Sequence, residues 1–321
     1  MTKPIVYIAR QLPAIATQLL EGHAELRQHA GELPPTRQEL LEGVKGCAGI
    51  LSLLSDRIDA EVLDAAGPNL KVISNFAVGY NNIEIAEARN RQIAVGNTPD
   101  VLTDATADIA IALLLSVARR LKEGERAVRS GEWTTWEPLG WMGLELQGKT
   151  LGIVGMGRIG EAVARRMVGG WGMQLRYTAR TTKPLVDAQL GGRHVPLAEL
   201  LADSDFVSLH VPLSTETRHL IGAAEFELMK PTAVLVNTAR GEIVDQEALE
   251  GALRTRRIFG AGLDVCTPEP LPTSDPLLKL DNCLVVPHIG SATLAARDAM
   301  AERAARNLLA GLAGSPLPFA V

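Results

Sequence analysis

The chain has 321 residues, 46% of them hydrophobic and 21% charged, with a formal net charge of −5. Its length exceeds the roughly 250–300 residues that a single hydrophobic core sustains, so two domains are expected. The acidic balance, with no block of Lys or Arg, argues against a nucleic acid or an anionic membrane as partner, and three scattered cysteines make neither a disulfide framework nor a paired metal motif.

The apolar run near the N-terminus is too short for a signal peptide, and the longest greasy stretch, Ile109–Ala118, is about half a membrane span. A reducing cytoplasm and no resident metal are therefore expected. In chain order, Ile5–Ala9, Gly49–Leu53, Val72–Ser74 and Ile93–Val95 read as strands, with amphipathic helices at Thr36–Val44 and Ala60–Ala65. Thr36 followed by Glu39 is a capping box opening the first of these helices. Asp104–Arg120 reads as a long apolar helix, followed by a Trp- and Gly-rich arm from Gly131 to Gly148. A second α/β unit starts at Thr150, with strands expected at Thr150–Val154, Gln174–Tyr177, Phe206–Leu209, Ala233–Asn237, Gly260–Asp264 and Cys283–Val286. The last helix, Thr293–Leu312, is long enough to return to the first unit. The expected plan is α/β with two doubly wound parallel sheets. Residues 1–100 plus 290–321 form a discontinuous first domain, and 101–289 form a second one inserted into it.

Strand Thr150–Val154 runs into Gly155-Met156-Gly157-Arg158-Ile159-Gly160 and then a helix from Arg158 to Val168. Gly155 permits a tight turn, Gly157 lets the backbone approach a pyrophosphate, and Gly160 lets the helix pack on the strand. A bare glycine motif is weak evidence, but strand before and helix after make it a dinucleotide turn. An acidic residue that would bond a ribose 2′-hydroxyl is absent from the next strand and its exit, Leu175–Lys183. Thr178, Arg180 and Thr181 stand there instead, which suits a 2′-phosphate and hence NADP(H), with NAD(H) as the lesser alternative.

Three residues carry the candidate chemistry. Arg240 follows the strand ending at Asn237, at the sheet edge where open α/β folds place ligands, and its planar guanidinium suits a carboxylate beside a carbonyl. His288 follows the apolar strand Leu284–Val286 and precedes a Gly-Ser-Ala turn. A lone histidine is more often a hydrogen-bonded core residue than an acid. Glu269, between Pro268 and Pro270, shifts that balance, because a neighbouring carboxylate favours the protonated ring that can donate to a carbonyl. His210 also ends a strand, but the Val211-Pro212 that follow it suggest a cofactor-facing backbone turn. In the first unit, amides at Val78 and Gly79 could form a nest for a substrate carboxylate.

Seven segments carry a resemblance that spans nearly the whole chain in order: NFAVGYNNI, VLTDATADIAIALLL, GIVGMGRIG, HVPLSTETRHLI, VNTARGEIVD, AGLDVCTPEPLP and LVVPHIGSAT. Together they resemble the D-isomer-specific 2-hydroxyacid dehydrogenase family. Within it the chain is most similar to glyoxylate/hydroxypyruvate reductases, through YTAR, GEWTTWEPL and EPLPTSDPLL. The resemblance implies two Rossmann- or flavodoxin-like domains with the site in a cleft between them. It makes Arg240 the substrate-binding cation, His288 the acid/base and Glu269 its partner, with Val78 and Gly79 at the substrate carboxylate. It places Thr106, Arg158, Ile159, Arg180, Val211, Pro212, Thr217, Thr238, Asp264 and Gly290 at cofactor contacts, alongside the three glycines, Thr178 and Thr181. It also implies a homodimer formed through an arm spanning 121–148, on which Trp141 is the candidate to reach the neighbouring subunit's substrate pocket.

The expected activity is NADPH-preferring reduction of glyoxylate and hydroxypyruvate. Another 2-oxo acid (2-ketogluconate, phenylpyruvate or pyruvate) is an alternative substrate. A nucleotide-sensing corepressor on the same fold is the alternative from another class, since fold alone does not decide function.

Overall fold

The computed structural model describes residues 3–321. The chain divides into two compact units, one comprising residues up to Leu102 together with Ala292–Val321, the other Thr103–Ser291. These boundaries lie at 102/103 and 291/292, rather than at 100/101 and 289/290.

In the first unit, β1 (Ile5–Ile8), α1 (Ala14–Leu20), β2 (Glu25–Gln28), α2 (Arg37–Gly43), β3 (Gly49–Ser52), α3 (Ala60–Ala66), β4 (Val72–Asn75), α4 (Ile85–Asn90) and β5 (Ala94–Gly96) alternate along the chain. The strands form one parallel sheet in the order β2-β1-β3-β4-β5. All residues of β3 and β4 are buried, as befits parallel strands covered on both faces. The β2 segment, Glu-Leu-Arg-Gln, is an edge strand whose exposed polar residues hide it from a pattern search. The capping box is present: Glu39 accepts from the Thr36 amide at 2.8 Å, and the Thr36 side chain accepts from the Glu39 amide at 3.3 Å.

The second unit continues with α5 (Thr103–Ala118), α6 (Leu121–Ser130), β6 (Thr150–Val154), α7 (Arg158–Trp171), β7 (Gln174–Thr178), α8 (Pro184–Leu190), β8 (Arg193–His194), α9 (Leu197–Asp203), β9 (Phe206–Leu209), α10 (Ala223–Leu228), β10 (Val234–Asn237), α11 (Gln246–Arg254), β11 (Gly260–Leu263) and β12 (Cys283–Val285). Its seven parallel strands are ordered β12-β11-β10-β9-β6-β7-β8. The winding reverses between β6 and β9, the switch point outside whose strand ends ligands bind in such sheets. Helix α5 stops at Ala118, short of the expected Arg120, whose φ of 53° is left-handed. The first part of the expected arm is the helix α6, and only 131–149 is irregular. The final helix, α12 (Leu294–Leu312), belongs to the first unit, packing on α1, β3 and β4.

Candidate active site

The glycine-rich turn sits at the switch point. Gly155 leaves β6 with φ +98°, and a side chain there would collide with the His210 backbone, 2.7 Å from where its Cβ would stand. Gly157 caps α7, and among the described residues nothing beyond its immediate chain neighbours stands within 4 Å of the place its Cβ would occupy, so that side is open. The adjoining turn is rigid. The Gly155 amide donates to the Thr178 carbonyl at 2.9 Å, and the His210 amide to the Val154 carbonyl at 2.7 Å. Desolvation pushes the His210 imidazole down to about 3, so it is a neutral hydrogen-bonding group whose Nε2 meets Ser208 Oγ at 2.8 Å.

Thr178, the last residue of β7, is partly buried, while Arg180 and Thr181 beyond it are exposed. The loop that carries them is tethered at both ends. The Lys183 amide donates to the buried Tyr177 hydroxyl at 2.7 Å, and His194 Nε2 lies 2.9 Å from the Ala179 carbonyl. On the other side of the switch point, Val211 and Pro212 lead into a turn closed by Thr217. Its hydroxyl donates to the Pro212 carbonyl at 2.6 Å and accepts from the Ser214 amide at 2.8 Å, so it shapes the loop. Thr238, just past β10, has a buried hydroxyl with no hydrogen-bond partner among the described residues.

The three chemical residues converge within the second unit. His288 Nδ1 and Glu269 Oε2 are 2.8 Å apart, and Glu269 Oε1 accepts from the Cys266 amide at 3.1 Å. Burial alone would raise the Glu269 carboxyl. The hydrogen bond and charge of His288, the Cys266 amide and the charge of Arg240 outweigh it and hold the group below the usual carboxylate range. Arg240 is half-buried and donates to the Ala239 carbonyl at 2.7 Å, while Asn237 Nδ2 holds the Arg240 carbonyl at 2.8 Å. Burial lowers the guanidinium from its usual value, with Glu269 and Glu242 opposing. The Arg240 turn lies against the Glu269 loop because residue 241 is glycine: a Cβ there would stand 2.6 Å from Thr267 Oγ1 and overlap the Cys266 carbonyl.

Sequence reasoning assigned Asp264 to the cofactor and missed its larger structural part. It is 1% exposed, and its two oxygens accept from the Ile289 and Gly290 amides at 2.6 and 2.8 Å. This grip fixes the backbone directly after His288, which itself adopts a left-handed φ of 52°. Burial raises the Asp264 carboxyl against the two amides and His288. Gln246 was also missed: its Oε1 accepts from the Thr267 amide at 2.9 Å and its Nε2 reaches Asp275 at 3.2 Å, bracing the Glu269 loop. No motif signals a lone glutamine at the start of a helix. Thr106, on α5, is buried beside Gly290.

Val78 and Gly79 lie in the first unit, after β4, both partly buried. Trp141 stands on the irregular arm with φ 47°, half-buried, near the exposed Trp133, Trp136, Leu139 and Met142. Among the described residues no group of three or more His, Cys, Asp or Glu side chains is placed to hold a metal, and no helix is long and apolar enough to cross a membrane.

Residues 111–290 match the model of the D-isomer specific 2-hydroxyacid dehydrogenase NAD binding domain. A glyoxylate reductase of Thermococcus onnurineus is 51% identical over 99% of this chain and 96% of its own length. Among solved structures, a Thermus thermophilus protein superposes with a TM-score of 0.92 at 48% identity, covering 99% of both chains. An NADPH-dependent glyoxylate/hydroxypyruvate reductase of Sinorhizobium meliloti, in complex with NADP and malonate, gives 0.84 at 31% identity over 100% of this chain and 97% of that one. With more than half of the chain matched by the family model and a relative 51% identical over 99% of it, the chain belongs to the D-isomer-specific 2-hydroxyacid dehydrogenase family.

Proposed function

We propose that this protein is an NADPH-preferring reductase of glyoxylate and hydroxypyruvate. The observation that carries the reading is the His288–Glu269 pair, 2.8 Å apart, in the same unit as Arg240 and the dinucleotide turn. The residues present fit a nicotinamide dinucleotide: open space flanks Gly157 at the N-terminus of α7, and the buried Thr238 hydroxyl lacks a partner among the described residues. Gly155, Gly157, Arg158, Ile159 and Gly160 would hold its pyrophosphate. Thr178, Arg180 and Thr181 would take the 2′-phosphate, and Thr106, Val211, Pro212, Thr217, Thr238, Asp264 and Gly290 would line its remainder. A bound dinucleotide would supply the hydride for the oxo acid's carbonyl carbon.

The chain's own residues do the rest. Nδ1 of His288 is engaged by Glu269, so Nε2 is the atom that gives a proton to the C2 oxygen. Glu269, held ionised, stabilises the imidazolium until that transfer, after which the ring is neutral and is reprotonated from solvent. Arg240 binds the carboxylate and the C2 oxygen together, and the Val78 and Gly79 amides are further donors for a carboxylate. One face of the carbonyl is thereby presented, so hydroxypyruvate gives a D-2-hydroxy acid, while glyoxylate gives the achiral glycolate. The relatives named as glyoxylate reductases support this choice of substrate, and the S. meliloti enzyme named as NADPH-dependent supports the cofactor.

The exposed aromatics of the arm fit a homodimer, with Trp141 closing the partner's substrate pocket, so Trp141→Ala should change oxo-acid selectivity while the dimer persists in light scattering. The deciding experiment is NADPH consumption with glyoxylate, repeated with NADH and with a Thr178→Asp, Arg180→Ser variant. Turnover that favours NADPH in the wild type and NADH in the variant is expected. No turnover of glyoxylate or hydroxypyruvate overturns the substrate assignment, and equal or better kcat/KM with NADH overturns the cofactor preference.

A further inference from the structure

The turn after β4 is held from behind in a way the mechanism above does not use. Three successive carbonyls are taken up by the protein: Ala77 O accepts from the Thr98 amide at 2.9 Å, Val78 O from Asn97 Nδ2 at 2.7 Å, and Gly79 O from Asn75 Nδ2 at 2.9 Å. In a trans peptide the carbonyl of one residue and the amide of the next point in opposite directions. Fixing these carbonyls therefore fixes the amides of Val78, Gly79 and Tyr80 on the other side. Among the described residues the Val78 and Gly79 amides have no protein acceptor.

The two asparagines are themselves locked. Asn75 is fully buried, accepts from Ser52 Oγ at 3.0 Å, and exchanges amide hydrogen bonds with Asn82 at 3.1 and 3.3 Å. Asn97 is gripped along its backbone: its amide donates to the Phe319 carbonyl at 3.1 Å and its carbonyl accepts from Asn307 Nδ2 at 3.0 Å. Each side-chain nitrogen faces a carbonyl oxygen, where an oxygen would be repelled, so the amide orientations follow from the network.

We propose that Asn97, with Asn75, is a positioning residue for the oxo-acid carboxylate: it aims the unpartnered amides of the Val78–Gly79 turn at the substrate without touching it. The inference rests on the reading of that turn as the carboxylate site. A neutral clamp is required here, because an aspartate in either place could not donate and would set a negative charge beside an anion site.

The test compares Asn97→Asp, Asn97→Ser and Gly79→Pro, the last removing one of the amides outright. Asn97→Asp should raise KM for glyoxylate about tenfold or more, with kcat changed less than about threefold and NADPH affinity by fluorescence titration unchanged. Asn97→Ser, which keeps a donor, should recover part of the loss. The effect should vanish with a carboxylate-free aldehyde such as glycolaldehyde. If Gly79→Pro raises KM but both Asn97 variants leave it within twofold of wild type, the positioning role is overturned and the carboxylate site stands. If Gly79→Pro itself leaves KM unchanged, the parent reading fails and this one with it. Should Asn97→Asp not fold, Asn97→Ser and Asn75→Ser decide alone: a KM shift confined to the oxo acid supports the role, and an equal loss with glycolaldehyde overturns it.

Discussion

Two turns at strand ends, one in each unit, do opposite electrostatic jobs with the same device. Each follows a parallel strand, β4 in one case and β12 in the other, and each is gripped by a side chain from a neighbouring segment. At 77–79 the clamps are neutral amides that donate to backbone carbonyls, leaving backbone donors for an anion. At 288–290 the clamps are carboxylates: Asp264 accepts two backbone amides, and Glu269 takes the imidazole nitrogen. The polarity of the clamp decides what the turn can offer. Neutral clamps suit a site that must attract a carboxylate; anionic clamps suit one that must keep a proton.

The largest effect should come from removing what the second turn presents. His288→Gln is expected to lower kcat roughly 10²–10⁴-fold, the worth of a positioned general acid, with NADPH affinity retained. Turnover within a few-fold of wild type would mean the proton comes from elsewhere. Arg240→Lys comes next. Replacing a planar fork by a point charge forfeits a charge-assisted hydrogen bond worth about 1.5–3 kcal/mol, or roughly 10–100-fold in kcat/KM for the oxo acid. Steady-state kinetics that match wild type would leave Arg240 a structural role only.

Asp264→Asn inverts one clamp without changing its shape. One oxygen becomes an NH₂ group, so either the Ile289 or the Gly290 amide faces a donor, at about 1–3 kcal/mol for the unmet group. A drop in kcat larger than the change in NADPH affinity, with a modest fall in Tm, is the expected result. Equal losses in both would make Asp264 a cofactor contact rather than a brace for His288.

What the sequence disclosed follows the same division. The dinucleotide turn, the capping box at Thr36 and the Arg240, Glu269 and His288 set were legible because each depends on local chemistry: glycines at fixed offsets, a threonine three residues before a glutamate, charged residues at strand ends. The edge strand Glu25–Gln28 and the two-residue strand Arg193–His194 were not, since polar edge strands lack an apolar period. The braces were hidden for a different reason. Asn97 grips a carbonyl 19 positions away and Asp264 an amide 25 positions away, pairings that only the folded sheet creates. The break at Arg120 was missed because a left-handed arginine has no sequence signature.

The smallest effect is expected at Glu269, and it is also the most diagnostic of the anionic clamp. Its carboxyl is held below the usual range against the pull of burial, chiefly by His288. A group whose folded-state pKa is lowered contributes stability above its unfolded value and loses it as pH falls through the folded one. Glu269→Gln should therefore lower Tm most at neutral pH, with the gap to wild type closing as the pH falls through the acid range. In catalysis, kcat at neutral pH should fall far less than in His288→Gln, since the acid itself stays in place. His288→Gln supplies the converse: with the cation gone, burial is less opposed, and the Glu269 carboxyl should titrate at higher pH by NMR. A Tm difference independent of pH, together with an unmoved Glu269 titration in His288→Gln, would show that the pair contributes contact without charge.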